Sequence, residues 1–274
     1  MLLTRVLTAL ALMPAVLGML IFAPRGWWSL FAMLFAAFAS WEWSRLCGFQ
    51  ALAQRAWLAF SASIGAALFT LYVVSPLNLY PMVAQGLLWA AAAFWLFAVP
   101  WWLKEKLRPP PWVLGLAGWL VVWPFWIALV DLRDRSKWLL LAIALIVWIA
   151  DIAAYFAGRK FGKRKLAPAI SPGKSWEGVY GALTGVLIYG VILLVWSSGA
   201  APTAWWIVFL AAMVLLTAVS VLGDLFESWM KRGAGVKDSS NLLPGHGGVL
   251  DRVDALTSTL PVAALLVSLK GTLG

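Results

Sequence analysis

Two stretches of this 274-residue chain gather side chains that can do chemistry. The first runs Gly223-Asp224-Leu-Phe-Glu227-Ser228-Trp-Met-Lys231-Arg232-Gly233 and ends His246-Gly247-Gly248-Val-Leu-Asp251-Arg252-Val-Asp254. On a helix, Asp224, Ser228 and Lys231 share one face at i, i+4 and i+7, with Glu227 beside them. Asp251 and Asp254, at i and i+3, suit the start of a further helix, where acids meet the positive end of the helix dipole. The glycines between the two acid pairs allow a backbone to approach a ligand closely. Hard carboxylate oxygens bind Mg²⁺, which takes one or two of them and completes its shell with substrate phosphates. Lys231, Arg232, Lys237 and Arg252 can neutralise phosphate oxygens. That combination suits nucleotidyl or phosphoryl transfer, where catalysis is positioning and charge stabilisation. We place Asp224 and Asp251 as metal ligands, and Ser228, Asp238, His246 and Asp254 within the site.

The second stretch is Asp151…Tyr155…Arg159-Lys-Phe-Gly-Lys163-Arg-Lys165, then Ser171-Pro-Gly-Lys174-Ser-Trp-Glu177. A carboxylate at the end of an apolar run, as at Asp151, must face protein, a cation or a water-filled cavity. Five bases between Arg159 and Lys165 form a patch for anionic phosphates or for a lipid surface. Ser-Pro-Gly-Lys-Ser lacks the GxxxxGK[ST] spacing of a P-loop and a strand before it. Asp151, Arg159, Ser171, Lys174 and Glu177 are expected on the substrate side of the site.

The rest of the chain must position these groups, and its composition says in what solvent. Hydrophobic residues make up 63% and charged residues 12%, about half the charge of an ordinary soluble domain. Lipid therefore covers most of the surface. The net charge of +10 then reads as a membrane-orienting bias and not as a nucleic-acid footprint. One cysteine, Cys47, and one histidine, His246, exclude a disulfide framework and multi-His metal sites.

Nine apolar runs are long enough to cross a bilayer: Val6–Ala23, Trp27–Trp43, Trp57–Val74, Met82–Leu103, Trp112–Val130, Trp138–Phe156, Val179–Trp196, Ala204–Gly223 and Ala255–Leu269. They are continuously apolar and do not alternate, so a bundle of about nine helices is expected and not a barrel. The first run is long for the h-region of a signal peptide and no clean A-x-A site follows it, so it is expected to be a membrane helix. Tryptophans at span ends, including Trp27, Trp28, Trp41, Trp43, Trp57, Trp101, Trp102, Trp112, Trp138, Trp196, Trp205 and Trp206, are expected to anchor at the interface. Sixteen of the 21 Lys and Arg fall on the N-terminal face, with loops 2–3, 4–5, 6–7 and 8–9. The positive-inside rule makes that face cytoplasmic, with the N-terminus inside and the C-terminus outside. Residues 1–274 read as one membrane domain. Residues 1–150 look like scaffold, and 151–254 hold seven of the 11 acids and the chemistry.

At this point the residues resemble a known family. Ser228-x-Met-Lys231-Arg232-x4-Lys237-Asp238-x-Ser240-x2-Leu243-Pro244-x-His246-Gly247-Gly248-Val-x-Asp251-Arg252-Val-Asp254 resembles the signature of the phosphatidate cytidylyltransferases, or CDP-diacylglycerol synthases, of prokaryotic type. Asp151…Tyr155…Gly158-Arg159…Gly162-Lys163 and Ser171-Pro-x-Lys174-Ser-x-Glu177-Gly178 look like family segments too. The resemblance implies that phosphatidate and CTP give CDP-diacylglycerol and pyrophosphate in phospholipid biosynthesis, with Mg²⁺ required. It admits K⁺ as a second cation and a homodimeric assembly. The rivals are another CTP-dependent membrane lipid transferase, a polyprenol kinase, and a lipid or anion transporter with buried charges.

Overall fold

The computed structural model describes residues 2–74, 79–107, 109–197 and 203–273; the side chains of 2–7, 9, 197, 203–204 and 270–273 are outside that description. Arg5, Arg108 and Lys270, counted in the charge asymmetry, thus fall outside the described side chains. The described residues form nine helices: α1 (Leu2–Phe22), α2 (Arg25–Leu46), α3 (Ala51–Val74), α4 (Leu79–Glu105), α5 (Pro111–Arg135), α6 (Lys137–Phe161), α7 (Trp176–Ser197), α8 (Thr203–Gly233) and α9 (Leu250–Leu273). Eight of the nine apolar runs lie within one helix each, and the first, Val6–Ala23, ends one residue past α1. By length and composition α3 to α9 suffice to cross a membrane. The described apolar stretch of α1, Leu10–Phe22, is shorter, and α2 is diluted by tryptophan, serine and Glu42.

α2 buries Trp28, Ala32, Ala36, Ala39 and Trp43, spaced at helical periodicity along one face. Three alanines on that face let α5 come close, as membrane helices pack through small residues. Indole N–H groups then reach the neighbour's carbonyls: Trp28 to Leu129 at 3.0 Å, Trp43 to Leu114 at 2.8 Å, and Trp126 back to Ser29 at 3.1 Å. The interface expectation therefore splits. Trp27, Trp41, Trp101, Trp112, Trp138, Trp196 and Trp205 are exposed, but Trp28, Trp43, Trp57 and Trp102 are buried. Proximity to a span end gives the depth of a residue and not the side of the helix on which it lies. Gly115 and Gly118 make the room, since a Cβ at Gly118 would collide with the Trp43 indole.

α4 contains a π-turn at Phe94–Ala98, just before Pro100. Proline has no N–H and crowds the carbonyl four residues back, so a local widening relieves it. Phe94 and Trp95 meet Phe226 of α8 edge-on, both at 5.6 Å between centroids.

α6 and α7 lie against each other along Gly178, Gly181 and Gly185. A Cβ at Gly181 would collide with that of Ala157, and one at Gly185 would lie 2.9 Å from that of Ala153. Gly181→Val is expected to lower stability by about 1–3 kcal/mol by overpacking this seam. Gly86→Ala, with nothing within 4 Å, should leave it unchanged. Thermal unfolding in detergent compares the two.

Charges collect at the two ends of the bundle. At one end Arg25 pairs with Asp134 at 2.8 Å, and the Tyr72 and Tyr80 hydroxyls donate to Asp134 and Asp131, both at 2.7 Å. Lys137 donates to the carbonyl of Ile21 at 3.2 Å. The other end holds the connection between α8 and α9 and a small hairpin before α7.

Candidate active site

α8 runs unbroken through Gly233, ten residues beyond the apolar run read from the sequence. That continuation places Asp224, Glu227, Ser228 and Lys231 on one turn-repeating face. Ser228 Oγ lies 3.4 Å from Asp224 Oδ1. Lys231 Nζ bridges two helices, 2.5 Å from Glu227 Oε2 on α8 and 2.6 Å from Asp251 Oδ1 on α9. The Lys174 ammonium comes from a third element and lies 2.6 Å from Asp224 Oδ2.

Lys174 is delivered by the hairpin of β1 (Lys165–Ala167) and β2 (Ser171–Ser175), paired antiparallel with Lys165 opposite Ser175 and Ala167 opposite Ser171. Two caps fix this hairpin on α7. Ser175 Oγ accepts from the Gly178 N–H at 3.2 Å. The Glu177 carboxylate accepts the N–H of Lys163 at 3.1 Å and of Arg164 at 3.2 Å. Gly162 leaves space for the serine, because a Cβ there would lie 2.8 Å from Ser175 Oγ.

Asp151 on α6 lies within electrostatic reach of Asp224 and Lys174. Asp254 on α9 lies within electrostatic reach of Asp224, Lys231 and Lys174, and Glu227 within reach of Asp254 and Asp251. Among the described residues, the cations paired with this group of five acids, Asp151, Asp224, Glu227, Asp251 and Asp254, are Lys174 and Lys231. Glu227 Oε1 is buried without a hydrogen-bond partner. An acid excess of this kind, with a free carboxylate oxygen, has the donor chemistry of a hard-cation site. Among the described residues no three acids close on a common point tightly enough to enclose an ion. Mg²⁺ does not require this, since it binds through one or two carboxylates and borrows phosphate oxygens and waters.

Asp251 is held from its other side. Its Oδ2 accepts from Gly248 N–H at 2.7 Å, Ser239 N–H at 2.9 Å and Ser239 Oγ at 2.9 Å. Gly247 has φ +81° and a Cβ there would lie 2.7 Å from that oxygen, so the turn requires glycine.

The remaining sequence-predicted residues fall into two groups. Lys237, Asp238, His246 and Arg252 line a polar pocket of about 510 Å³ beside the acid cluster. Arg252 donates through Nε and an η nitrogen to the His246 carbonyl, at 2.9 and 2.6 Å, and so braces the loop. His246 Nδ1 lies 3.1 Å from Thr8 Oγ1, which also donates to the Pro244 carbonyl at 3.1 Å. Arg159, Arg232, Ser171 and Glu177 make local contacts. Arg159 donates to the Tyr155 hydroxyl at 3.0 Å, and Arg232 to the Val236 carbonyl at 3.1 Å.

Sequence reasoning passed over Glu42, Ser239 and the packing role of Gly248, and named Ser240 only as part of the motif, without a role. Glu42 is fully buried on α2, and its carboxylate reaches Ser239, Ser240, Val249 and Leu250. The signal was present: it is the only acid in the first 104 residues, within an apolar run. Like Asp151, a carboxylate in an apolar run must face protein, a cation or a water-filled cavity.

The Cytidylyltransferase family profile matches residues 3–270. The chain belongs to this family. Its relatives include the phosphatidate cytidylyltransferase of Pseudomonas aeruginosa, 40% identical over 97% of this chain and 97% of that protein. The protein of the same name from Haemophilus influenzae is 53% identical over 46% of this chain and 44% of that protein. One from Staphylococcus saprophyticus is 40% identical over 51% and 52%. As a cytidylyltransferase, this multi-pass helical protein has the acid cluster and its two lysines at the end of the bundle where the α8–α9 loop and the hairpin meet.

Proposed function

We infer that this chain transfers the cytidylyl group of CTP to phosphatidate, releasing pyrophosphate and forming CDP-diacylglycerol for phospholipid synthesis. The observation that carries the reading is the 40% identity along nearly the whole length of a protein named phosphatidate cytidylyltransferase. The acid–lysine cluster supports it, because it offers what the reaction needs. A phosphatidate oxygen attacks the α-phosphorus of CTP, the bond from that phosphorus to the bridging oxygen breaks, and pyrophosphate leaves with the electron pair. The nucleophile is already an anion, so no strong base is called for. Asp224 and Asp251 would hold Mg²⁺, which supplies charge neutralisation when bound. Lys174 and Lys231, now paired with those carboxylates, are placed to turn to phosphate oxygens when a cation takes the carboxylates over. Lys237 and Arg252 border the polar pocket and would meet the triphosphate. The charge asymmetry supports an orientation with this end in the cytoplasm of a bacterial inner membrane.

Purified protein in detergent, given phosphatidate, Mg²⁺ and CTP labelled at either phosphorus, tests the reading. Label from the α-phosphorus is expected in the lipid, and label from the γ-phosphorus only in pyrophosphate. Entry of γ-label into lipid would make the chain a kinase, and no CTP consumption at all would remove the assignment.

A further inference from the structure

Glu42 is a complete carboxylate site without a cation. Four donors meet it: Ser240 Oγ at 2.5 Å and Val249 N–H at 2.9 Å on Oε1, and Leu250 N–H at 2.6 Å and Ser239 Oγ at 3.2 Å on Oε2. It makes no ion pair among the described residues. A fully buried carboxylate is costly, and hydrogen bonds from every side are what make it tolerable. The N-terminus of α9 adds its dipole, since Val249 and Leu250 are the first turn's free donors. Gly248 is the opening through which Glu42 reaches them. A Cβ there would collide with both Ser239 Oγ and Glu42 Oε1.

The four contacts tie together the two ends of the Ser239–Leu250 loop. Asp251 grips the same loop from the opposite face, through Ser239 and Gly248. Ser239 Oγ is common to both acids, 3.2 Å from Glu42 and 2.9 Å from Asp251. It has one proton to share between them. Ser240 differs: its hydroxyl reaches Glu42 and the Leu242 N–H, but not Asp251.

We propose that Glu42 is a positioning residue of the transfer reaction, acting through Ser239 to hold the Asp251 carboxylate in the orientation that meets Lys231 and a cation. This rests on the reading of Asp251 as a cation ligand. Groups that orient a metal ligand typically change metal affinity or activity by about 10–100-fold when altered.

The test uses the full-length protein in detergent with Glu42→Gln, Ser239→Ala, Ser240→Ala and the Glu42→Gln/Ser239→Ala double. Steady-state kinetics give kcat and KM. Electron paramagnetic resonance gives Mn²⁺ binding without nucleotide. Glu42→Gln is expected to lower kcat and weaken Mn²⁺ binding, each by about 10–100-fold. KM for phosphatidate should stay within about twofold, because the coupled groups do not include the lipid. Ser239→Ala should act in the same direction, and the double should be no worse than Glu42→Gln, as for residues acting along one chain. Ser240→Ala should cost clearly less than Ser239→Ala. Unchanged Mn²⁺ binding in Glu42→Gln overturns the proposal, as do additive losses in the double. If Glu42→Gln does not fold, equal Mn²⁺ affinities for the two serine variants overturn it. Asp251→Asn separates the two layers. If that variant binds Mn²⁺ normally, the cation reading fails and takes this one with it. If it loses Mn²⁺ while Glu42→Gln keeps it, only the role of Glu42 fails.

Discussion

Asp224→Asn is expected to reduce kcat on the order of 10³-fold or more, about 4 kcal/mol of transition-state stabilisation, without altering the melting temperature measurably. Asp224 is a third exposed, with one oxygen on Lys174 and the other near Ser228. An asparagine keeps the shape and one acceptor for Lys174, so little packing is lost. What disappears is the negative charge at the point where α8, α6 and α9 bring acids together around Lys174. A cation would then find a weaker site, and raising Mg²⁺ should recover only a small part of the rate. Asp251→Asn should be as inactive but less stable. Its amide nitrogen can turn from the Ser239 and Gly248 donors only by facing the Lys231 ammonium, another donor. Near-normal turnover by Asp224→Asn at saturating Mg²⁺ would remove Asp224 from the ligand set.

Lys231→Met should cost both activity and stability. The lysine is mostly buried, and it is the single cation between Glu227 and Asp251 in this arrangement. Methionine matches its volume but leaves two buried carboxylates facing each other. Removing one partner of a buried pair typically destabilises by about 3–5 kcal/mol, since the remaining charge is uncompensated. Added Mg²⁺ or Mn²⁺ should restore part of the lost melting temperature, because a cation can take the place of the ammonium, whereas turnover should stay low. A melting temperature equal to that of the unaltered protein, with no response to divalent cations, would contradict the bridging role. Thermal unfolding in detergent with and without the ions makes the comparison.

The helices were legible because apolar runs of bilayer length have few alternatives. So was the face of α8, because a spacing of three and four residues means the same thing wherever a helix continues. The partners of those residues were not. That Lys174 meets Asp224, and Lys231 meets Asp251, follows from how the hairpin and α9 are packed, and nothing in the local spacing encodes it. The tryptophans show the same boundary: their depth could be read from position, but whether Trp43 turns outward or into Gly118 depends on which neighbour brings the glycine. Glu42 is the more instructive omission. It was visible as a lone acid in an apolar run, but its partners lie some 200 positions away at Ser240 and Leu250. A single sequence does not pair them.

The length of α8 sets the depth at which the proposed site would lie. Its 31 residues extend about 46 Å, against a hydrocarbon core of roughly 30 Å. Asp224 lies about 32 Å along that axis from Thr203, so a crossing that begins at Thr203 would leave the hydrocarbon near Asp224. A lipid phosphate is at that level already. Pulling a diacyl lipid into water would cost about 0.8 kcal/mol for each methylene, or on the order of 24 kcal/mol for some thirty of them. That is as large as the whole barrier reduction achieved by many enzymes, about 8–23 kcal/mol. By carrying its carboxylates to within about one turn of the end of the hydrocarbon, the helix would bring the chemistry to the lipid and leave this extraction work undone.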